Sequence, residues 1–487
     1  MAESRLPGAG WGVFTLKDRA YGDKLLFPDV TIPLPDVPVR LEEGVAHIIQ
    51  NYSWYSGGNY ASAEGYHVQS IIPGMSMLCN TGKKPLPQQD DDPLMARAIP
   101  SSPLPPMSGR RGSPEAGSYT YYGGRQFHAY MPIEAGSEIL IDYGRRWDTK
   151  TDGFFPTEIT KATLGDLEEN GMCLDNIRPY PGQFGYGAVA TRPLSKGTMI
   201  APFPMISINR TSLSNRGRTQ LLLNYCFGNK KSTLLLYPYS PVSNYVNHAD
   251  KPNAKLVWSA RAIDLEESMQ MTAADVLSSR RRGLLMELVA LTDIKVGEEV
   301  TIDYGADWQE AYRNHVESFD ASLHGDVAKY KYAADLNHEV SIRTEEEQKR
   351  MPYPENLQLS CYYVYDEANL KPHPNSIPEI DGETITTAKW SYSENLWIPA
   401  NLIPCRIHDR IKRKGKTLDG AIQESDFYTA QMILEDRPGE RHIVTSIPRA
   451  AIEFTNKVLT TDQQLPNAFR HEIGLAPGIY PEAWLDI

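Results

Sequence analysis

The sequence predicts a mostly β protein of the β+α kind: two tandem β folds followed by a small C-terminal β-rich domain of barrel-like shape. Three observations carry that expectation. Alternating runs such as "GAVAT", "LLMELVALTDI" and "EEVTIDYG" lie between Gly, Pro and Asn residues with little sustained 3.6-residue periodicity, as short strands and turns do. One series of blocks is written twice in the same order. Beyond it, "LSCYYVYD", "CRIHDRIKRKG", "DFYTAQMILED" and "RHIVTSIPRAAIEFT" are four more strand-like runs, compatible with a small barrel.

The repeat is plainest where "AGSEILIDYGRRW" (135–147) returns as "VGEEVTIDYGADW" (296–308). Gly136, Glu138, Asp142, Tyr143, Gly144 and Trp147 recur as Gly297, Glu299, Asp303, Tyr304, Gly305 and Trp308. Upstream, Gly10 and Gly12 answer Gly185 and Gly187, and "PGMSMLCNTGKKP" (73–85) falls opposite "PVSNYVNHADKPN" (241–253). That last match sets Cys79-Asn80 against Asn247-His248. The first copy carries extra residues between blocks, as loops on a shared scaffold tolerate. The expected layout is therefore a first unit at 1–155, a second at 156–325 and a β-rich C-terminal domain at 326–487. Within the first, the Pro/Ser-rich stretch 83–118 reads as a disordered insertion.

A length of 487 residues allows about three or four domains at roughly 150 residues each. A hydrophobic fraction of 41% and a charged fraction of 23% exclude a disordered or collagen-like bulk. No run nears the roughly 18–20 apolar residues of a membrane helix, and the first residues lack a basic patch followed by an apolar core. The expectation is an intracellular protein, nuclear or cytoplasmic, with no membrane partner. The net charge of −12 argues against direct nucleic-acid binding and suits a locally positive partner. Cys79, Cys173, Cys226, Cys361 and Cys405 are odd in number and form no CxC or CxxC. Neither a disulfide framework nor a structural zinc site is expected of them, and they read as buried small hydrophobes.

Chemistry gathers in the second copy, where Gly185-Tyr186-Gly187, Asn247-His248…Pro252-Asn253 and Gly297-Glu298-Glu299…Asp303-Tyr304-Gly305 stand in order. Glycines at 185 and 187 let backbone approach a ligand closely, although alone they would be read as a strand-entry turn. The amide of Asn247 can bind through its carbonyl and its NH2 at once, which suits a group carrying both ammonium and carboxylate. In this order and spacing the chain resembles the SET-domain protein lysine methyltransferases, closely over about 172–312 and more loosely over 8–150.

The resemblance implies a β-rich domain that takes S-adenosylmethionine on one face and a lysine from the other, joined by a narrow channel. The implied activity is protein-lysine N-methylation of a histone or another basic, lysine-rich protein. Gly185, Tyr186, Gly187, Asn247 and His248 are then cofactor-binding, Asn247 through its side chain and His248 mainly through its backbone. Tyr304 is the catalytic candidate, a phenol that orients the lysine amine; no metal is expected. Tyr237, Tyr239, Tyr245 and Trp308 are candidate substrate-channel residues, with core packing as the alternative for the tyrosines.

Two departures from the family pattern bear on this. No cysteine-rich tail follows Tyr304, which leaves Trp308, Tyr312, Tyr330 or Tyr332 to close the channel, and Ala249 replaces the usual Ser or Cys. In the first copy Tyr143 is kept, but Cys79-Asn80 and Thr81-Gly82 stand where the cofactor block belongs. That copy is expected to be a degenerate unit packed on the second as an internal pseudo-dimer. The C-terminal strands suit a Tudor-like or SH3-like barrel in which Phe427, Tyr428 and Phe454 form either an aromatic cage or plain core. Two other functional readings stay open: a non-catalytic SET-like scaffold that binds lysine-rich proteins, and a transferase acting on a non-histone protein or a polyamine-like amine.

Overall fold

The computed structural model describes residues 1–34, 52–55, 69–82, 98–100, 112–120, 126–143, 160–182, 185–215, 218–279, 283–337, 339, 341–365, 371–372, 384–393, 396, 401–416, 422–434, 440–457, 460, 465 and 467–486. Strands predominate over helices among them, as the alternating runs require. They fall into two compact units, one of Met1–Trp54, Ser70–Ala321 and Pro466–Ile487, the other of Tyr55–Gln69 and Ser322–Leu465. Pro466–Ile487, read from sequence as the end of the C-terminal domain, thus lies in the first unit.

The first unit is centred on a sheet in the order Ala254–Trp258, Leu285–Ala290, Met199–Asn209, Leu234–Pro238, Phe227–Gly228 and Ile473–Gly474. All neighbours pair antiparallel except the last two, which run parallel. "LLLYP" at 234–238 is buried throughout, so it reads as an unbroken apolar run rather than an alternating one. Phe203, Leu236, Leu288 and Trp484 are buried in the same core as Ile32, Leu34, Ile71 and Met77, whereas Val13, Phe127, Ile139 and Ile141 of the first copy lie in a second core.

Two short contacts join distant blocks. Asn247–His248 pairs parallel with Thr301–Ile302, and a bridge between Thr81 and Ile141 does the same in the first copy. The hydrogen bonds repeat as well. Gly297 N–H donates to the Ala190 carbonyl at 2.8 Å and Val300 N–H to that of Ala188 at 2.7 Å; Gly136 N–H donates to Thr15 at 2.8 Å and Ile139 N–H to Val13 at 2.7 Å. This register sets Asn80 against Asn247 and Thr81 against His248. The alignment of Cys79-Asn80 with Asn247-His248 is therefore one residue out, because loop lengths between blocks differ and sequence alone does not say where the extra residues go.

Residues 83–97 and 101–111 of the 83–118 stretch lie outside the described residues, as do Gly144 and Trp147 of the repeat. Its other parts depart from the expected disorder. Ala98–Pro100 pairs with Phe127–Ala129, and the turns at 112–118 are held by Asn224 Nδ2 donating to the Ser118 carbonyl at 2.8 Å and an Arg470 guanidinium N–H donating to that of Gly117 at 2.7 Å.

Among the described residues the second unit holds a sheet of seven strands in the order Lys371–Pro372, Thr384–Lys389, Glu440–Pro448, Ile422–Met432, Leu402–Lys416, Leu357–Tyr362 and Ile452–Asn456. The four strand-like runs become five of these, because "RHIVTSIPRAAIEFT" turns at Arg449–Ala451. Two expectations fail here. Cys361 and Cys405 form a disulfide between neighbouring strands, and Cys173 is exposed; Cys79 and Cys226 are buried thiols as expected. Spacing within the sequence gives no hint of a pair brought together by strand pairing. Of the two readings of Phe427, Tyr428 and Phe454, a cage or plain core, the structure favours core. Phe427 and Tyr428 are neighbours on one strand and so face opposite sides. Tyr428 is buried, with its hydroxyl accepting from Ile342 N–H at 2.9 Å, and Phe454 is core at 0% exposure.

Candidate functional site

The strand Gly185–Ala190 pairs antiparallel with Ile177–Gly182 and opens at Gly185, whose φ of +109° admits glycine without strain. Gly187 meets a different need. A Cβ there would lie 2.3 Å from Glu299 Oε1 and 3.4 Å from Asn247 Nδ2. The absent side chain lets a carboxylate, an amide and a strand come together.

Asn247 Nδ2 donates to Glu299 Oε1 at 2.9 Å and to the Tyr186 carbonyl at 3.2 Å. Asn253 pins the strand that carries Glu299: its Nδ2 donates to the Glu299 carbonyl at 2.8 Å, and its Oδ1 accepts from Thr301 N–H at 2.9 Å. Asn247 and Glu299 are both exposed, and Asn247 Oδ1 accepts no hydrogen bond among the described residues. Carboxylate and amide oxygens are thus presented to solvent at one place, an arrangement that attracts an ammonium group. Glu299 stands in the sequence motif without a role of its own there; its recurrence as Glu138 is the signal that marks it.

Tyr304 stands beside this cluster. Its hydroxyl donates to the Val246 carbonyl at 2.6 Å, and its N–H donates to His248 Nδ1 at 3.1 Å. Accepting that bond leaves Nδ1 without a proton, so a neutral His248 carries its hydrogen on Nε2, which lies 3.5 Å from Asp250 Oδ1. His248 therefore positions Tyr304. Burial pushes the Tyr304 phenol well above the ordinary tyrosine range, with Tyr225 and Glu299 adding to the rise. The group is a neutral phenol whose hydrogen is committed to Val246 and whose oxygen can still accept.

An aromatic group surrounds it. Trp308, on the helix Ala306–Glu317, meets Tyr304 edge-on at 4.9 Å and His248 at 5.3 Å, and stacks on Tyr312 at 5.1 Å. Phe469 packs edge-on against both Trp308, at 5.6 Å, and Tyr312, at 5.3 Å. Tyr312 donates to Glu115 Oε1 at 2.8 Å. Phe469 belongs to the returning segment that also binds Tyr304, since Gly474 N–H donates to the Tyr304 carbonyl at 2.8 Å. Of the four candidates to close the channel, Trp308 and Tyr312 are here and Tyr330 and Tyr332 belong to the second unit. Phe469 carries no sequence signal, because more than 150 residues separate it from the repeat.

The candidate channel tyrosines divide. Tyr245 is buried, meets exposed Tyr186 edge-on at 5.9 Å and donates to the Pro28 carbonyl at 3.3 Å. Tyr237 is sealed in the core at 0% exposure. Tyr239 packs at the seam between the two copies, 5.8 Å from Tyr52. Sequence reading passed over Tyr225. Burial raises its phenol to about 12, and it accepts from Thr120 N–H at 3.1 Å and is electrostatically coupled to Tyr237, Tyr245 and Tyr304.

Residues 185–305 match the family model of the SET domain. No curated protein matches the chain. Among solved structures, a Plasmodium falciparum "putative histone methyltransferase" aligns at 22% identity and a TM-score of 0.21, covering 28% of this chain and 97% of that one. An active polycomb repressive complex 2 in the basal state aligns at 18% identity and a TM-score of 0.21, covering 30% of this chain and 17% of that one. The Chaetomium thermophilum Polycomb Repressive Complex 2 aligns at 18% identity and a TM-score of 0.21, covering 30% and 18%. The chain thus spans under a fifth of the length of these last two.

Proposed function

We propose, from the SET domain that residues 185–305 form, that this protein is an S-adenosylmethionine-dependent protein-lysine N-methyltransferase, with 156–325 as its catalytic region and 1–155 as a supporting SET-like unit. One observation carries the reading: a neutral, partly buried phenol at Tyr304, its hydrogen donated to Val246, stands next to the exposed oxygens of Asn247 and Glu299. Those oxygens suit the ammonium of the cofactor's amino-acid end, and the space left by Gly187 keeps them together. Gly185, Tyr186 and the His248 backbone complete the binding set. When bound, S-adenosylmethionine supplies a methyl group on a sulfonium, which an amine can displace.

The chain's residues do the rest. A lysine ammonium, with an ordinary pKa near 10.4, must shed its proton before it attacks, and aromatic surroundings disfavour the charged form. The Tyr304 oxygen accepts from the remaining amine hydrogens and so aims the nitrogen lone pair. It is not the base, because the same burial that keeps the phenol neutral raises its pKa. Trp308, Tyr245 and Tyr312 restrict water around it. The expected substrate is a histone or another lysine-rich protein, with nuclear or cytoplasmic action. Transfer of labelled methyl from the cofactor to a panel of basic proteins, lost in Tyr304→Phe and Asn247→Ala, is the expected result; full transfer by both variants would remove the assignment.

A further inference from the structure

The first copy keeps more of the site than its sequence suggests. Asn80 Nδ2 donates to Glu138 Oε1 at 2.8 Å and to the Trp11 carbonyl at 3.0 Å, matching the bonds of Asn247 to Glu299 and Tyr186. Gly12 is cramped as Gly187 is, a Cβ there falling 2.3 Å from Glu138 Oε1. Tyr143 donates to the Cys79 carbonyl at 2.7 Å, as Tyr304 does to that of Val246. The acceptor cluster and the phenol are both present.

What differs is access. Glu299 is exposed, whereas Glu138 is 9% exposed. In the second copy two residues, 183 and 184, join Gly182 to Gly185. In the first, seven residues, 4–10, join Ala2–Glu3 to Trp11–Gly12, closed by Ser4 N–H donating to the Gly10 carbonyl at 2.7 Å. That loop lies on the acceptor cluster. The Ser4 hydroxyl donates to Glu138 Oε1 and Arg5 N–H to Glu138 Oε2, both at 2.8 Å, while Ser4 Oγ accepts from Asn80 at 3.1 Å. Leu6, 2% exposed, covers Leu140 at 1%, where the second copy has Thr301.

We infer that the loop Ser4–Gly10 is an internal ligand: it gives Glu138 the donors an ammonium would give, and so closes in the first copy a site of the same class that the second presents to solvent. The first copy is silent because it is occupied, not because its asparagine is missing. The identity of the probe, S-adenosylmethionine, rests on the function proposed above.

Calorimetric titration of the full chain tests this. The intact protein is expected to bind one S-adenosylmethionine and Asn247→Ala none. In the Asn247→Ala background, replacing residues 5–9 by the Gln-Phe of positions 183–184 is expected to restore binding of one, lost again on adding Asn80→Ala. A Ser4→Ala, Leu6→Asp pair in the same background opens the loop without shortening it, and circular dichroism reports which variants fold. Binding of two by the intact chain, or none by a folded loop variant, would overturn the inference. No binding by the intact chain would instead remove the cofactor reading, while binding of one by a folded loop variant would still uphold the inference.

Discussion

Gly12→Ala and Gly187→Ala are the same substitution at matched positions, and the structure predicts opposite consequences. In each, the new Cβ would lie 2.3 Å from a glutamate oxygen, far inside contact distance, so the carboxylate must move. Glu299 is exposed and can swing into water, breaking its bond to Asn247 and little else. Losing that one bond costs about 1 kcal/mol of stability, while losing a charge-assisted bond from the carboxylate to an ammonium, worth about 1.5 kcal/mol or more, should lower S-adenosylmethionine affinity at least about tenfold. Glu138 is buried and accepts from the Ser4 hydroxyl, Arg5 N–H and Asn80 Nδ2, each at 2.8 Å. Displacing it forfeits three bonds, about 3 kcal/mol at about 1 kcal/mol each, with no change in cofactor affinity. Urea denaturation and cofactor titration on both variants separate the two cases. Equal loss of stability in both, or full affinity in Gly187→Ala, would refute the idea that one cluster binds and the other only holds the fold.

Other outcomes follow from particular contacts. Burial raises the phenols of Tyr225, Tyr237, Tyr245 and Tyr304, so the folded state is favoured below pH 10, where unfolded tyrosine is still protonated, and loses stability as pH climbs beyond it. Burial also raises the Cys79 and Cys226 thiols, so denaturation midpoints should begin to fall near pH 9 and fall more steeply above about 10; a level profile to pH 12 would contradict the burial of these groups. Cys361→Ser removes a disulfide closing 44 residues of separation, worth about 4 kcal/mol in the chain-entropy account, and reductant should lower the melting of the intact protein similarly. Insensitivity to both would show that the bond does not form. Phe469→Ala removes a buried ring packed edge-on against both Trp308 and Tyr312, costing about 3 kcal/mol and slowing transfer at temperatures where the variant stays folded; unaltered rates would place the closure of the site elsewhere.

The sequence made the β class, the duplication and most of the second site readable, because strands, glycine turns and the Asn-His and Asp-Tyr-Gly blocks are local patterns. Gly187, Asn247, His248 and Tyr304 meet because Asn247–His248 pairs with Thr301–Ile302, a pairing that periodicity does not reveal. Contacts set by distant chain were not readable. Phe469 returns from the far end, Cys361 meets Cys405 only across a sheet, and Asn80 was misplaced by one residue because loop insertions leave register undetermined. Tyr237 and Tyr239 show the remaining limit: an aromatic beside a motif can face either core or site, and only packing decides.

The central claim is that Tyr304 and Asn247 together direct methyl transfer to lysine. Mass spectrometry of histones and other basic proteins, incubated with the full chain and S-adenosylmethionine, tests it most directly by reporting transfer, residue and methyl count together. Methyl groups on lysine side chains are expected with the intact protein and none with Tyr304→Phe or Asn247→Ala folded as the parent. Methylation at residues other than lysine, or undiminished lysine methylation by both variants, would contradict it.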